Sequence, residues 1–166
     1  MVLKRFETAA CTVGMLAAAV LGLSTTPAAA SGDYSGRAYV HTASGWDDEG
    51  LLSTGRHASS NATCLWQKIL WADGFLENSD IDGVFGPKTR EATVRWQRWR
   101  GAGADGVVGP TTFSMAAAWG LWWDGSRTRY TGSSHEISIT VDDSGRYGFY
   151  DDGVHRKAGY DYRTCS

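Results

Sequence analysis

Four histidines, His41, His57, His135 and His155, are the side chains best suited to hold a metal or relay protons. They lie far apart, and none falls in a His-x-x-x-His or His-Glu-x-x-His pattern that would place two ligands on one helical face. They read as surface groups. Nucleophilic hydrolysis lacks a Gly-x-Ser-x-Gly elbow. Glycoside cleavage would need two carboxylates across a cleft, and Glu136, Asp142, Asp143, Asp151 and Asp152 are the candidates. The last four sit in Gly-containing clusters and read first as turn formers. Neither a metal nor an organic cofactor is expected. Binding chemistry is better supplied: indoles that stack on apolar ring faces and guanidiniums that clasp carboxylates. The candidates are Trp71, Trp122, Trp123, Arg95 and Arg98.

These groups sit on a chain of 166 residues with a formal charge of -2, so no cationic field gathers nucleic acid or anionic lipid. Lys4 and Arg5, an apolar run from Val13 to Leu23, Pro27 and Ala28-Ala29-Ala30 have the layout of a secretory signal peptide over residues 1–30, cleaved after Ala30. The apolar run is short of the roughly 20 residues that span a bilayer. Cys11 precedes that run, where a lipid-modified cysteine would follow it. Cleavage leaves Cys64 and Cys165, which an exported chain most simply pairs as a disulfide. No membrane association is expected after cleavage.

Residues 31–60 are rich in Gly, Ser, Ala and Thr, without a sustained period, and read as a linker or loosely docked arm. From Asn61, a capping candidate, Ala62, Leu65, Trp66, Ile69 and Leu70 recur on one helical face, and Gly74 ends the helix; Cys64 and Trp71 point the other way. A second helix is expected from Pro87 to Arg100, with Thr89, Ala92, Trp96 and Trp99 inward and Glu91, Val94, Arg95 and Arg98 outward. A third runs from Pro110 to Trp119. After Gly120, the alternation from His135 to Val141 and the turn clusters at residues 142–145 and 151–153 predict a meander of roughly three strands. It must dock on the helices, because so small a ribbon buries too little alone. A disulfide to Cys64 would press its end onto the first helix near Trp71. The fold class is therefore α+β: a small three-helix bundle at 61–119, then a C-terminal antiparallel β-meander at 120–166.

The most specific signal is internal. Asp82-Gly83-Val84-Phe85-Gly86-Pro87-Lys88-Thr89 returns as Asp105-Gly106-Val107-Val108-Gly109-Pro110-Thr111-Thr112, offset by 23 and identical at six of eight positions. Asp makes an Asx turn, Gly takes positive φ, Val with Phe or Val plugs the core, and Pro opens a helix at its first position. Together with Trp66-Gln67 and Trp96-Gln97, these residues resemble the peptidoglycan-binding domain 1 family over about residues 61–119. Thr63, Ala102 and Ala104 stand where that family commonly has larger apolar residues. The segment after Gly120 lies outside the resemblance.

The resemblance implies a three-helix module of secreted bacterial wall proteins and non-catalytic adhesion to peptidoglycan. Its glycan faces would stack on aromatic rings and its stem-peptide carboxylates would meet arginine or a helix N-terminus. Trp66, Trp96 and Trp99 are assigned to the core. Trp71, Trp122 and Trp123, which the bundle core explains least, are either covered by the ribbon, at least one of them, or line a groove. The expectation is a secreted, wall-associated monomer. The rivals are a small wall hydrolase using ribbon carboxylates and a secreted inhibitor or adaptor that binds a protein.

Overall fold

The computed structural model describes residues 38–41 and 46–166. The signal-peptide reading, Cys11 and most of the Gly/Ser-rich stretch before residue 46 lie outside them. Three helices come first: α1 (Asn61–Ala72), α2 (Pro87–Arg100) and α3 (Pro110–Gly120), with a single 3-10 turn at Asn78–Asp80. Five strands follow as an antiparallel meander in the order β1 (Leu121–Trp123), β2 (Thr128–Thr131), β3 (Glu136–Val141), β4 (Tyr147–Asp151) and β5 (Val154–Lys157). The α+β architecture is as the sequence implied, but the meander has five strands where about three were expected. The two extra strands flank Asp124-Gly125 and lack the apolar–polar alternation that marks β3.

Helix α1 departs from its simple amphipathic reading. Ser60, not Asn61, is the N-cap, its Oγ accepting the Thr63 N–H at 3.0 Å. Every residue of the helix except Trp71 is buried, because the bundle packs on one side and the sheet on the other. Asn61 instead clamps the chain end: its Nδ2 donates to the Lys157 carbonyl and to Thr164 Oγ1, while its Oδ1 accepts the Thr164 N–H at 2.8 Å. Cys64 and Cys165 form a disulfide, with Cα atoms 6.6 Å apart and a sequence separation of 101. Two turns along the helix, Trp71 meets not the chain end but the β2–β3 turn, stacking on His135 with ring centroids 4.2 Å apart. There the Ser134 and His135 N–H groups donate to the Ala72 carbonyl at 2.8 and 2.9 Å. That approach requires Gly132, where a Cβ would collide with the Ala72 carbonyl.

An aromatic column joins the two layers. Tyr147 on β4 meets Trp46 edge-on at 5.1 Å, Trp46 meets Phe113 of α3, Phe113 meets Trp66 of α1, and Trp66 meets Trp96 of α2 at 5.1 Å. Such edge-to-face pairs add about 0.5–1.5 kcal/mol each beyond their burial. Trp46 comes from the stretch read as a loose arm. Where that stretch is described, it is packed: Val40, Trp46 and Leu52 are fully buried. Glu49 accepts the His41 N–H and the Tyr160 hydroxyl, both at 2.7 Å. Leu52 pairs with Val108 through reciprocal backbone bonds of 2.8 and 2.9 Å. On the sheet side Lys68 of α1 reaches Asp151 of β4 at 3.1 Å, a nearly dry ion pair between the layers.

Candidate functional site

The repeated motif builds two copies of one hydrogen-bonded cradle. Gln67 Oε1 accepts the Gly83 N–H at 2.7 Å, and its Nε2 donates to Asp82 Oδ1, the Val84 carbonyl and Thr89 Oγ1. Gln97 repeats this with Gly106, Asp105, Val107 and Thr112. Asp82 and Asp105 close the Asx turns by accepting the N–H two residues on, at 2.8 and 2.9 Å. Gly83 and Gly106 hold φ of 69° and 74°, a region that costs other residues roughly 1–2 kcal/mol. Only the second apolar residue of each copy, Phe85 or Val108, plugs the core; Val84 is exposed and Val107 half-buried. The motif side chains bond one another, so they set the turns and helix starts rather than a contact surface.

The exposed chemistry lies at the other end of α2. Arg95, Arg98 and Trp99 share one face of the helix by their spacing of three and four, and all three are exposed. Trp99 was expected in the core; it is 49% exposed because the core-facing positions are already filled by Trp96, Thr93 and Ala92. Its covering partner is a cation. The Arg100 guanidinium lies 3.7 Å from the Trp99 ring centroid and 5.3 Å from that of Trp119, which is 62% exposed. Phe75 flanks Trp99 at 5.4 Å, and Arg95 donates to the Phe75 carbonyl at 2.9 Å. Asp73, fully buried behind this platform, holds Arg100 at 3.3 Å. Burial and the Asp73 charge together push the Tyr130 phenol well above its usual range, keeping it a neutral donor to Asp73 at 2.7 Å.

The five residues singled out in the sequence do not form one site. Arg95 and Arg98 lie on the platform. Trp71 is half-buried against His135. Trp122 and Trp123 project from opposite faces of β1 and remain exposed, so the ribbon covers neither. Trp123 lies with Leu121, Trp122, Thr128, Val141 and Tyr147 along a shallow apolar groove of about 500 Å³ at the sheet edge. The roles of Trp99, Arg100 and Trp119 are hardly legible in the sequence; the one available signal is their position in the last helical turns, just before Gly101 and Gly120.

Two of the five ribbon carboxylates are committed to structure. Asp142 accepts from Lys157 and Arg146, each at 2.8 Å, which with its turn N–H bonds holds its carboxyl far below the ordinary value. Asp151 is taken by Lys68. Among the described residues no group of three or more His, Cys, Asp and Glu side chains comes together in a way that could hold a metal ion.

Two Gln-cradled turns, each launching a Pro-headed helix, fill the span 59–115, which matches the family model of the peptidoglycan binding domain. Over that span the chain is similar to that family. No curated protein and no solved structure matches the chain. The matched span thus covers α1, α2 and the first half of α3, while the five-stranded sheet lies outside it. Among the described residues no helix is long and apolar enough to cross a membrane.

Proposed function

We propose that the protein is a secreted, non-catalytic adhesin for the bacterial wall, and that its peptidoglycan-binding domain grips the polymer through Trp99 and Trp119, with Arg95 and Arg98 alongside. The observation that carries this reading is the pair of exposed indoles fixed by one guanidinium, 3.7 and 5.3 Å from their centroids. Rings held in place beforehand lose little freedom on stacking against sugar, and the flanking arginines suit the carboxylates of stem peptides. The disulfide supports an oxidising, extracytoplasmic setting. The engagement of Asp142 and Asp151 in ion pairs weighs against a hydrolase built on the ribbon.

Co-sedimentation with purified sacculi tests the proposal. Trp99→Ala and Trp119→Ala should each weaken retention about tenfold, a loss of roughly 1.4 kcal/mol per ring, and Arg95→Ala with Arg98→Ala should weaken it further at low salt. Undiminished retention of both tryptophan variants would move the contact surface elsewhere. Release of reducing ends or free amines from the sacculi would overturn the non-catalytic reading.

A further inference from the structure

The outer face of the sheet, turned away from the helices, carries a second row of chemistry. The register sets Trp122 beside Arg129, Arg129 beside Ser138, and Tyr150 beside His155. The β3–β4 pairing of Ile139 with Phe149 places Ser138 next to Tyr150, completing one line across all five strands. Trp122 is 62% exposed and Tyr150 49%. Three strand spacings separate them, about 14 Å. From Tyr150 toward Arg127 runs a groove of about 290 Å³ whose lining includes Arg129, Glu136, Ser138, Ile139 and Thr140; Trp122 lies beyond it, next to Arg129. Beside the groove, Gly148 of β4 pairs with Thr140. With no side chain there, Thr140 Oγ1 and His155 Nε2 meet across β4 at 2.7 Å, in space a Cβ would occupy.

We propose that this face is a second carbohydrate-binding surface, occupied by a stretch of glycan strand. An apolar ring at each end with hydroxyl and guanidinium groups between suits a sugar chain, which alternates apolar ring faces with a dense rim of hydroxyls. A protein partner would instead be expected to seek a desolvated apolar centre, and this row has its polar groups in the middle. The loosely held guanidiniums can accept an anionic strand. The groove presents two guanidiniums to one carboxylate. Arg127 has no carboxylate partner among the described residues, and Arg129 holds Asp124 and Glu136 only loosely, both at 3.7 Å. Muramic acid residues of the glycan carry such an anion once their peptide is removed. In its choice of polymer the inference rests on the wall-binding reading. The surface also continues the helical platform, since α3 passes from Trp119 through Gly120 directly into β1.

The test uses peptide-free glycan strands of alternating N-acetylglucosamine and N-acetylmuramic acid, titrated into the full exported chain, with intact sacculi in parallel. Trp122→Ala and Tyr150→Ala should each weaken strand binding about tenfold, while Tyr150→Phe, which keeps the ring, should retain most of it. Both rings are exposed, and unchanged circular dichroism would confirm folding. Strand binding indifferent to both alanine variants, or no strand binding while sacculi are still retained, would overturn this inference and leave the wall-binding proposal standing. Loss of both activities in the unmodified chain would overturn the two together. A dimer that Trp122→Ala dissolves would assign the face to a second copy of the chain and also overturn it.

Discussion

The indole N–H of Trp96 donates to Asp73 Oδ2 at 2.6 Å, deep in the protein, and fastens the second helix to the end of the first. The same oxygen accepts the Tyr130 hydroxyl at 2.7 Å, while Oδ1 accepts the Ser133 N–H at 3.0 Å. Arg100 reaches both oxygens at 3.3 and 3.4 Å. One carboxylate therefore joins α1, α2, β2 and the β2–β3 turn, and it does so directly behind the exposed Trp99 and Trp119.

Removing that carboxylate orphans several buried donors and leaves a mostly buried guanidinium uncompensated. Asp73→Ala should cost about 3–5 kcal/mol, read from urea denaturation. Tyr130→Phe, which deletes one donor and leaves the others paired, should cost only about 1 kcal/mol. Equal losses for the two variants would show that Asp73 is not the hub.

The twin cradles give a matched pair of tests. Gln67→Ala and Gln97→Ala should each destabilise by about 2–3 kcal/mol, since each strands the turn glycine's N–H and removes several bonds. The two glutamines share no partner. The double variant should therefore lose the sum to within about 0.5 kcal/mol. A marked departure would mean that the cradles are coupled through the bundle.

The cross-link closes a loop of 101 residues. In the chain-entropy account such a closure restricts the unfolded ensemble by about 4–5 kcal/mol. Cys64→Ala with Cys165→Ala should lose a large part of that, measured by thermal or chemical unfolding without reductant. Two alkylatable thiols in the unreduced native protein would refute the bridge.

Alkaline titration probes the aromatic column. Burial first, and then the charge of Glu49, push Tyr147 from 10.0 up to about 12. A raised folded-state value means that the associated stability is fully present below pH 10 and is lost as pH climbs toward 12. Ultraviolet titration should show a tyrosine that resists ionisation until that range, and Tyr147→Phe should remove this late step. A Tyr147 that ionises near 10 in the folded protein would mean that Trp46 and its neighbours do not seal it.

Much of the helical layer was legible in the sequence because its signals are local. Pro87 and Gly101 mark the ends of α2, and each Asp-Gly turn specifies its own helix start. The wheel of α1 failed where the information is not local: its second face carries Asn61, Cys64 and Lys68, and only the sheet and the chain end, more than fifty residues on, supply what pairs and buries them. Trp46 gave no period because it is a single plug in a Gly- and Ser-rich stretch. Trp99 read as core because an indole at a helical stripe position usually is; a neighbouring guanidinium covers it instead. Strands β1 and β2 were hidden because Leu121-Trp122-Trp123 presents apolar groups on both faces. The disulfide was readable from compartment logic, whereas the platform needed coordinates, since its parts come from two helix ends and the turn after α1.

The burial of α1 on both sides bears on how far this module can be transplanted. Excised at the bounds of its matched segment, the helix would face water with Lys68 deprived of Asp151, Cys64 deprived of its mate, and Asn61 with nothing to clasp. The helical layer therefore does not stand apart from the sheet packed behind it, and a graft of this module should carry the chain through to Ser166.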